Sequence, residues 1–246
     1  LILAPPSKSL KDIMATKVYS VRTDTDQEDV SKLVARYNLL ATPVVDEENK
    51  LVGIVTVDDI IDVIDEEATQ DMYKMAGTNE EELLISKNVF KVARFRLPWL
   101  IIALFGGIFT GLLLWQFKMT LEQVLALAAF IPVVMHMGGN VAIQSSTITV
   151  RGLATGRIDA SMVIKHIFRE MLTGIVLGLL CGTLIGIVAQ VWHGSFMLGV
   201  VIAASMFLAI TVASSMGALV PIMLQRFNID PAVASGPFVT TTNDLT

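Results

Sequence analysis

Four stretches of this chain are apolar over the length needed to cross a lipid bilayer, and no other feature limits its possible folds so strongly. Residues 98–117 form an uncharged run of roughly 30 Å at ~1.5 Å per helical residue, with Trp99 and Trp115 near its ends as interfacial anchors. Further runs occupy 121–150, 171–192 and 196–224. A fifth begins at Ala232 and reaches residue 246, short of the ~20 residues a spanning helix needs. In hydrocarbon every backbone polar group must be satisfied within the protein, so such runs predict helices.

The rest of the chain is different in kind. Overall 53% of residues are hydrophobic and 17% charged, too apolar for an ordinary soluble domain and too charged for spans alone. Up to Arg96 there are 12 Lys and Arg against 18 Asp and Glu, and beyond it 6 against 5. The acidic surplus therefore belongs to the first part, which argues against a nucleic-acid partner and for cations. Lys87, Lys91, Arg94 and Arg96 precede the first span, and Arg151, Arg157, Lys165 and Arg169 separate the second from the third. Arg226 follows the fourth, whereas the opposite connections carry only Lys118. This asymmetry predicts a multi-pass protein of the cell membrane with its acidic part in the cytoplasm. Residues 1–10 lack the features of a signal peptide, so the expectation is a sequence that begins within a longer protein and also stops early. The lone Cys181 excludes an internal disulfide and reads as a small packing residue.

Residues 10–66 read as a small α/β unit: a strand at 18–21, a helix over 27–37, strands at 43–46 and 51–56, then a second helix. Asp26 is placed to cap the first helix, and Thr56 with Asp59 has capping-box spacing at the second. The segments Thr42-Pro43-Val44-Val45-Asp46 and Gly53-Ile54-Val55-Thr56-Val57-Asp58-Asp59-Ile60 resemble a CBS module. Such modules pair in tandem, which implies a partner module upstream of residue 1. After it, ten carboxylates fall between Asp58 and Glu82 against a single Lys74. A charge run of this kind is usually a solvated helix face, but this one leads into a span, and its carboxylates repel one another unless cations screen them.

Two stretches within the membrane part carry polar groups that are costly against lipid. One is 132–147, with Gly138-Gly139-Asn140 and Gln144-Ser145-Ser146-Thr147. Close helix packing through small residues is the plainer explanation of its glycines. The other is 230–244, ending at Asp244, which a continuous helix would carry ~20 Å into the bilayer. A carboxylate at that depth costs at least ~2.5–3.5 kcal/mol and marks an ion or proton pathway unless a basic partner neutralises it.

The proline-then-Gly-Gly-Asn segment, together with Pro237-Phe238-Val239-Thr240-Thr241-Thr242-Asn243-Asp244, resembles the second and fifth membrane helices of the MgtE family. The acidic connector resembles that family's plug helix. The resemblance implies a homodimeric magnesium channel in which Asp244 of both subunits binds hydrated magnesium, with Asn140 and the Thr240 backbone nearby. It also implies regulatory magnesium sites at Asp26, Glu28, Asp59, Asp62, Glu67 and Asp71, and an adenine nucleotide such as ATP at Thr56 and Asp59. Ala142 and Ile143 stand where the family often has a second Gly and Asn.

The reading is thus a CBS module over 1–66, an acidic connector helix over 67–96 and a transmembrane bundle of about five helices over 97–246. Hard oxygen ligands suit magnesium, which dehydrates reluctantly. A channel or carrier for manganese, cobalt or zinc and a non-conducting CBS-bearing scaffold remain open alternatives. A chloride channel fits poorly with Asp244. His136, His166 and His193 lack the spacing of a zinc site, and no nucleophile–base motif points to an enzyme.

Overall fold

The computed structural model describes residues 5, 9–12, 14, 18–78, 88–159, 161–234 and 237–244. The chain divides into two compact units, Leu1–Glu67 and Ala68–Thr246.

In the first unit, β1 (Val21–Arg22), α1 (Gln27–Tyr37), β2 (Ala41–Val45), β3 (Leu51–Thr56) and the start of α2 (Val57–Met75) follow in order. The expected strand at 18–21 is shorter and lies later, because pairing with β2 begins only at Val21 opposite Val44. β1 and β2 run parallel with α1 as the crossover, and β2 and β3 form an antiparallel hairpin. The hairpin turns at Asn49, in the left-handed region at φ 60°, while Asp46 Oδ1 accepts the N–H groups of Glu48 and Lys50, each at 2.9 Å. Asp26 caps α1 by accepting the Glu28 N–H at 2.9 Å. Val30 and Val34 of α1 meet Val21 and Ile60 in a small core.

So compact a core depends heavily on each member. Ile60 is 2% exposed, and Ile60→Ala should cost about 2–5 kcal/mol, much of a typical domain stability of roughly 5–15 kcal/mol. Limited proteolysis of the variant should cut within 18–66 under conditions that leave the parent intact.

Four helices in the second unit are long and apolar enough to cross a membrane, among the described residues. They are α3 (Val89–Gln116), α5 (Leu125–Ala154), α6 (Val163–His193) and α7 (Phe196–Arg226), with the short α4 (Lys118–Gln123) between the first two. Each begins or ends away from its apolar run. α3 starts earlier because Asn88 Oδ1 accepts the Phe90 N–H at 3.2 Å, so Lys91, Arg94 and Arg96 ride on its first turns and Pro98 lies inside it. α5 starts later because Val124 leaves the helical region, with φ −129° and ψ 72°. α6 and α7 pack most extensively, and α5 lies along α7. Glycines every fourth residue from Gly174 to Gly186 make the first pairing close: a Cβ at Gly182 would stand 2.6 Å from the Ala203 carbonyl oxygen.

The acidic run is a single helix only as far as Met75. Gly77 then turns at φ 72°, and Glu80, Glu81, Glu82 and Lys87 lie outside the described residues. Of the expected fifth helix, the described residues form α8 (Pro231–Ala234) and α9 (Pro237–Asp244). Pro237 suits the first position of α9, where no N–H has to be donated.

Candidate functional site

Helix α9 is positioned by residues much smaller than their neighbours. A side chain at Gly106 of α3 would run into Thr241, and one at Gly138 of α5 would collide with Asn243 Oδ1. On the remaining side Val239, fully buried, joins Ala142 of α5 and Ala213 of α7. Asn243 completes the attachment by donating from Nδ2 to the Met135 carbonyl at 3.1 Å. The two polar stretches singled out in the sequence therefore meet, about a hundred residues apart in the chain. Gly138 is near the middle of α5, ~20 Å of helical rise from Leu125 and ~24 Å from Ala154. That contact, rather than a continuous helix, sets the depth of Asn243 and of its neighbour Asp244.

Asp244 is half-buried, and among the described residues no Lys or Arg nitrogen lies within 4.0 Å of its carboxylate. Asn140 is exposed on α5 and shares a 3.1 Å hydrogen bond with His136 Nε2, one turn earlier. Thr240 is half-buried on α9, while Ser235 and Gly236 of the same stretch lie outside the described residues. Ala142 is buried, so its small side chain serves the contact with α9 and α7, whereas Ile143 is exposed. Replacing Gly138 tests the cradle. Gly138→Ala should displace α9, and disulfide trapping between cysteines introduced at Met135 and Asn243 should slow at least tenfold.

Sequence reasoning passed over two parts of this arrangement. Asn243 was visible but lacked an assigned role, and an amide between Thr242 and Asp244 in an apolar run is its only sequence signal. The second is an ion pair in which Lys74 Nζ lies 2.6 Å from Asp230 Oδ2, joining the end of α2 to the residue before α8. Its signal was that Lys74 is the one cation in the acidic run.

The acidic residues of the first unit and connector are arranged differently. Gln27 Nε2 donates to Glu67 Oε1 at 2.8 Å, bringing the start of α1, next to Asp26, against α2. Glu28 is engaged by Lys32 at 2.9 Å; burial works to lower the Lys32 pKa, but Glu28 and Asp29 outweigh it and hold the ammonium above its usual range. Thr56 Oγ1 donates to Asp59 Oδ2 at 2.7 Å, and Asp59 accepts the Thr56 N–H at 3.3 Å. Asp62 is exposed and Asp71 half-buried on the same helix. Among the described residues no three His, Cys, Asp or Glu side chains gather as a metal site.

Comparison with known proteins bears on both units. The family described as MgtE, Divalent cation transporter, matches residues 131–246, and the CBS domain matches residues 10–66. Magnesium transporter MgtE of Bacillus subtilis is 43% identical over 245 residues, covering all of this chain and 54% of its own length. The protein of that name from Enterococcus faecalis is 44% identical over 246 residues with the same coverage. The chain thus spans about half the length of the curated relatives it matches. A crystal structure of the cytosolic domain of the Mg2+ channel MgtE in complex with ATP aligns at 58% identity over 25% of each chain, with a TM-score of 0.25.

Proposed function

The chain belongs to the MgtE family of divalent cation transporters, and from that premise we propose that it forms the sensor and most of the pore of a magnesium channel controlled by cytoplasmic magnesium. One observation carries the pore: the Asp244 carboxylate ends a short helix seated against the middle of α5, without a neighbouring Lys or Arg among the described residues. Charge at that depth is tolerated when its counterion is the cargo. A hydrated magnesium ion is held there by Asp244, with Asn140 and the Thr240 backbone as further oxygen ligands to its water shell.

A single chain presents one such carboxylate, and α3 leaves Leu100, Leu104, Phe105 and Ile108 exposed. A homodimer with the pore between subunits supplies the second carboxylate. The positive-inside asymmetry places the CBS module in the cytoplasm. There Asp26, Glu28, Asp59, Asp62, Glu67 and Asp71 sense magnesium, and the hydroxyl–carboxylate pair of Thr56 and Asp59 is suited to the ribose of an adenine nucleotide. The uncovered apolar residues Leu51, Val52 and Ile54 on β3 support pairing with a second module.

The test is flux. Full-length protein in liposomes should carry magnesium down its gradient, with manganese, cobalt and zinc assayed in competition. Absence of any divalent flux from a folded dimer would overturn the reading in favour of a scaffold.

A further inference from the structure

The turn between α5 and α6 is drawn tightly closed. Ile158 N–H donates to the Gly152 carbonyl at 2.9 Å, Gly156 takes a left-handed φ of 65°, and the Ile158 side chain lies where a Cβ on Gly152 would stand. This folds Arg157 back toward the end of α5 and opens a cleft of about 780 Å³ into which Arg151, Arg157, Lys165 and Arg169 converge from three elements. No Asp or Glu lines it among the described residues. Among the described residues none of these four cations is in an ion pair within 4.0 Å; of the two acids nearest in sequence, Asp159 accepts from the backbone N–H groups of Ser161 and Met162, and Glu170, beside Arg169, is buried. The first turn of α6 opens beside the cleft without a side-chain cap, so the positive end of its dipole adds to the field.

Four unpaired positive charges around one hollow repel a divalent cation, so the cleft is not a stage of the conduction path. They require an anion. The remaining lining narrows the choice: Ile148, Ile158 and Met162 contribute apolar surface, and no Phe, Tyr or Trp is present to stack a nucleotide base. On α6, next in sequence to Lys165 and Arg169, an exposed apolar strip, Ile164, Phe168, Leu172 and Val176, runs over the first half of the helix. Its place at the ends of two spanning helices, on the side that carries the Lys and Arg excess, is the level of the cytoplasmic lipid headgroups.

We propose that this cleft binds the phosphodiester headgroup of an anionic phospholipid, with Arg151, Arg157, Lys165 and Arg169 around the phosphate and the acyl chains laid along the Ile164–Val176 strip of α6. Basic residues scattered along a loop would satisfy the orientation rule equally well. Their convergence on one concave surface with an apolar exit is what singles out a lipid.

The full-length protein, reconstituted into nanodiscs of mixed phosphatidylglycerol and phosphatidylcholine and then released for native mass spectrometry, provides the test. The parent should retain phosphatidylglycerol selectively. Each cation beside an anionic headgroup is worth roughly fivefold in partitioning, so Arg151→Gln with Arg169→Gln should weaken retention roughly 25-fold. Arg157→Gln with Lys165→Gln, both at exposed positions, is the second pair and should act alike if the first fails to fold. Inorganic pyrophosphate added to the detergent-released protein should not displace the lipid. Equal phosphatidylglycerol retention by parent and variants would overturn the proposal. So would displacement by pyrophosphate at concentrations that bind the parent but not the variants, which would make soluble phosphate the occupant. Neither readout depends on conduction.

Discussion

Asp244→Asn should reduce divalent cation flux by at least about 20-fold while leaving the protein folded and assembled. The substitution keeps the shape of the side chain and removes its charge. In water, one carboxylate attracts a divalent ion ~5 Å away by about 1.7 kcal/mol, a factor of roughly 20 in occupancy, and more where solvent is partly excluded. Two carboxylates facing one pore in a dimer double that energy. Stability should change in the opposite sense, since a charge at mid-depth costs ~2.5–3.5 kcal/mol that the amide avoids. Dye-reported magnesium entry into proteoliposomes, with dimer content checked by size exclusion, reads both effects. Undiminished flux through a folded Asp244→Asn protein would remove Asp244 from the pathway.

The helices and the α/β module were legible because their signals are periodic and redundant. Val30 and Val34 repeat an apolar spacing along α1, and spans of twenty or more apolar residues have few alternatives in lipid. Their ends were less legible, because termini follow single residues: Asn88 extends α3 toward its N-terminus through one side-chain cap, and Val124 shortens α5 through one backbone conformation. The Lys74–Asp230 pair was beyond reach for another reason. It joins positions 156 residues apart, and nothing local to either one names the other. The residues of the proposed pore were visible as polar groups in the wrong solvent, whereas the cradle that seats α9 depends on a side-chain clash at Gly106 and Gly138 that only the folded helices reveal.

Replacing Asp59 and Asp62 with Asn, Glu67 with Gln and Asp71 with Asn in one full-length protein should raise the internal magnesium concentration needed for closure at least tenfold without abolishing conduction. The closed state gathers acids that repel one another by about 1 kcal/mol per pair at ~4 Å in water, and bound magnesium reverses the sign of each contact. Moving a gate from mostly open to mostly closed takes about 5.5 kcal/mol of differential binding, more than one hydrated ion at one carboxylate pair supplies. Several ions must therefore act together, so closure in the parent should be steep in magnesium and shallower in the variant. Lys32 refines the expectation: it already neutralises Glu28 at 2.9 Å, so an ion arriving there competes with an ammonium held in its charged form by Glu28 and Asp29. Lys32→Gln should accordingly shift closure to lower magnesium, opposite to the fourfold variant. The proposed mechanical link is Lys74, whose 2.6 Å contact with Asp230 joins the end of α2 to the residue before α8. In the proposed mechanism magnesium binds the closed arrangement better than the open one, and so limits its own entry. Patch-clamp recordings with internal magnesium stepped over three decades measure both the midpoint and the slope. Closure of the fourfold variant at the parent's concentration and with the parent's slope would rule this mechanism out.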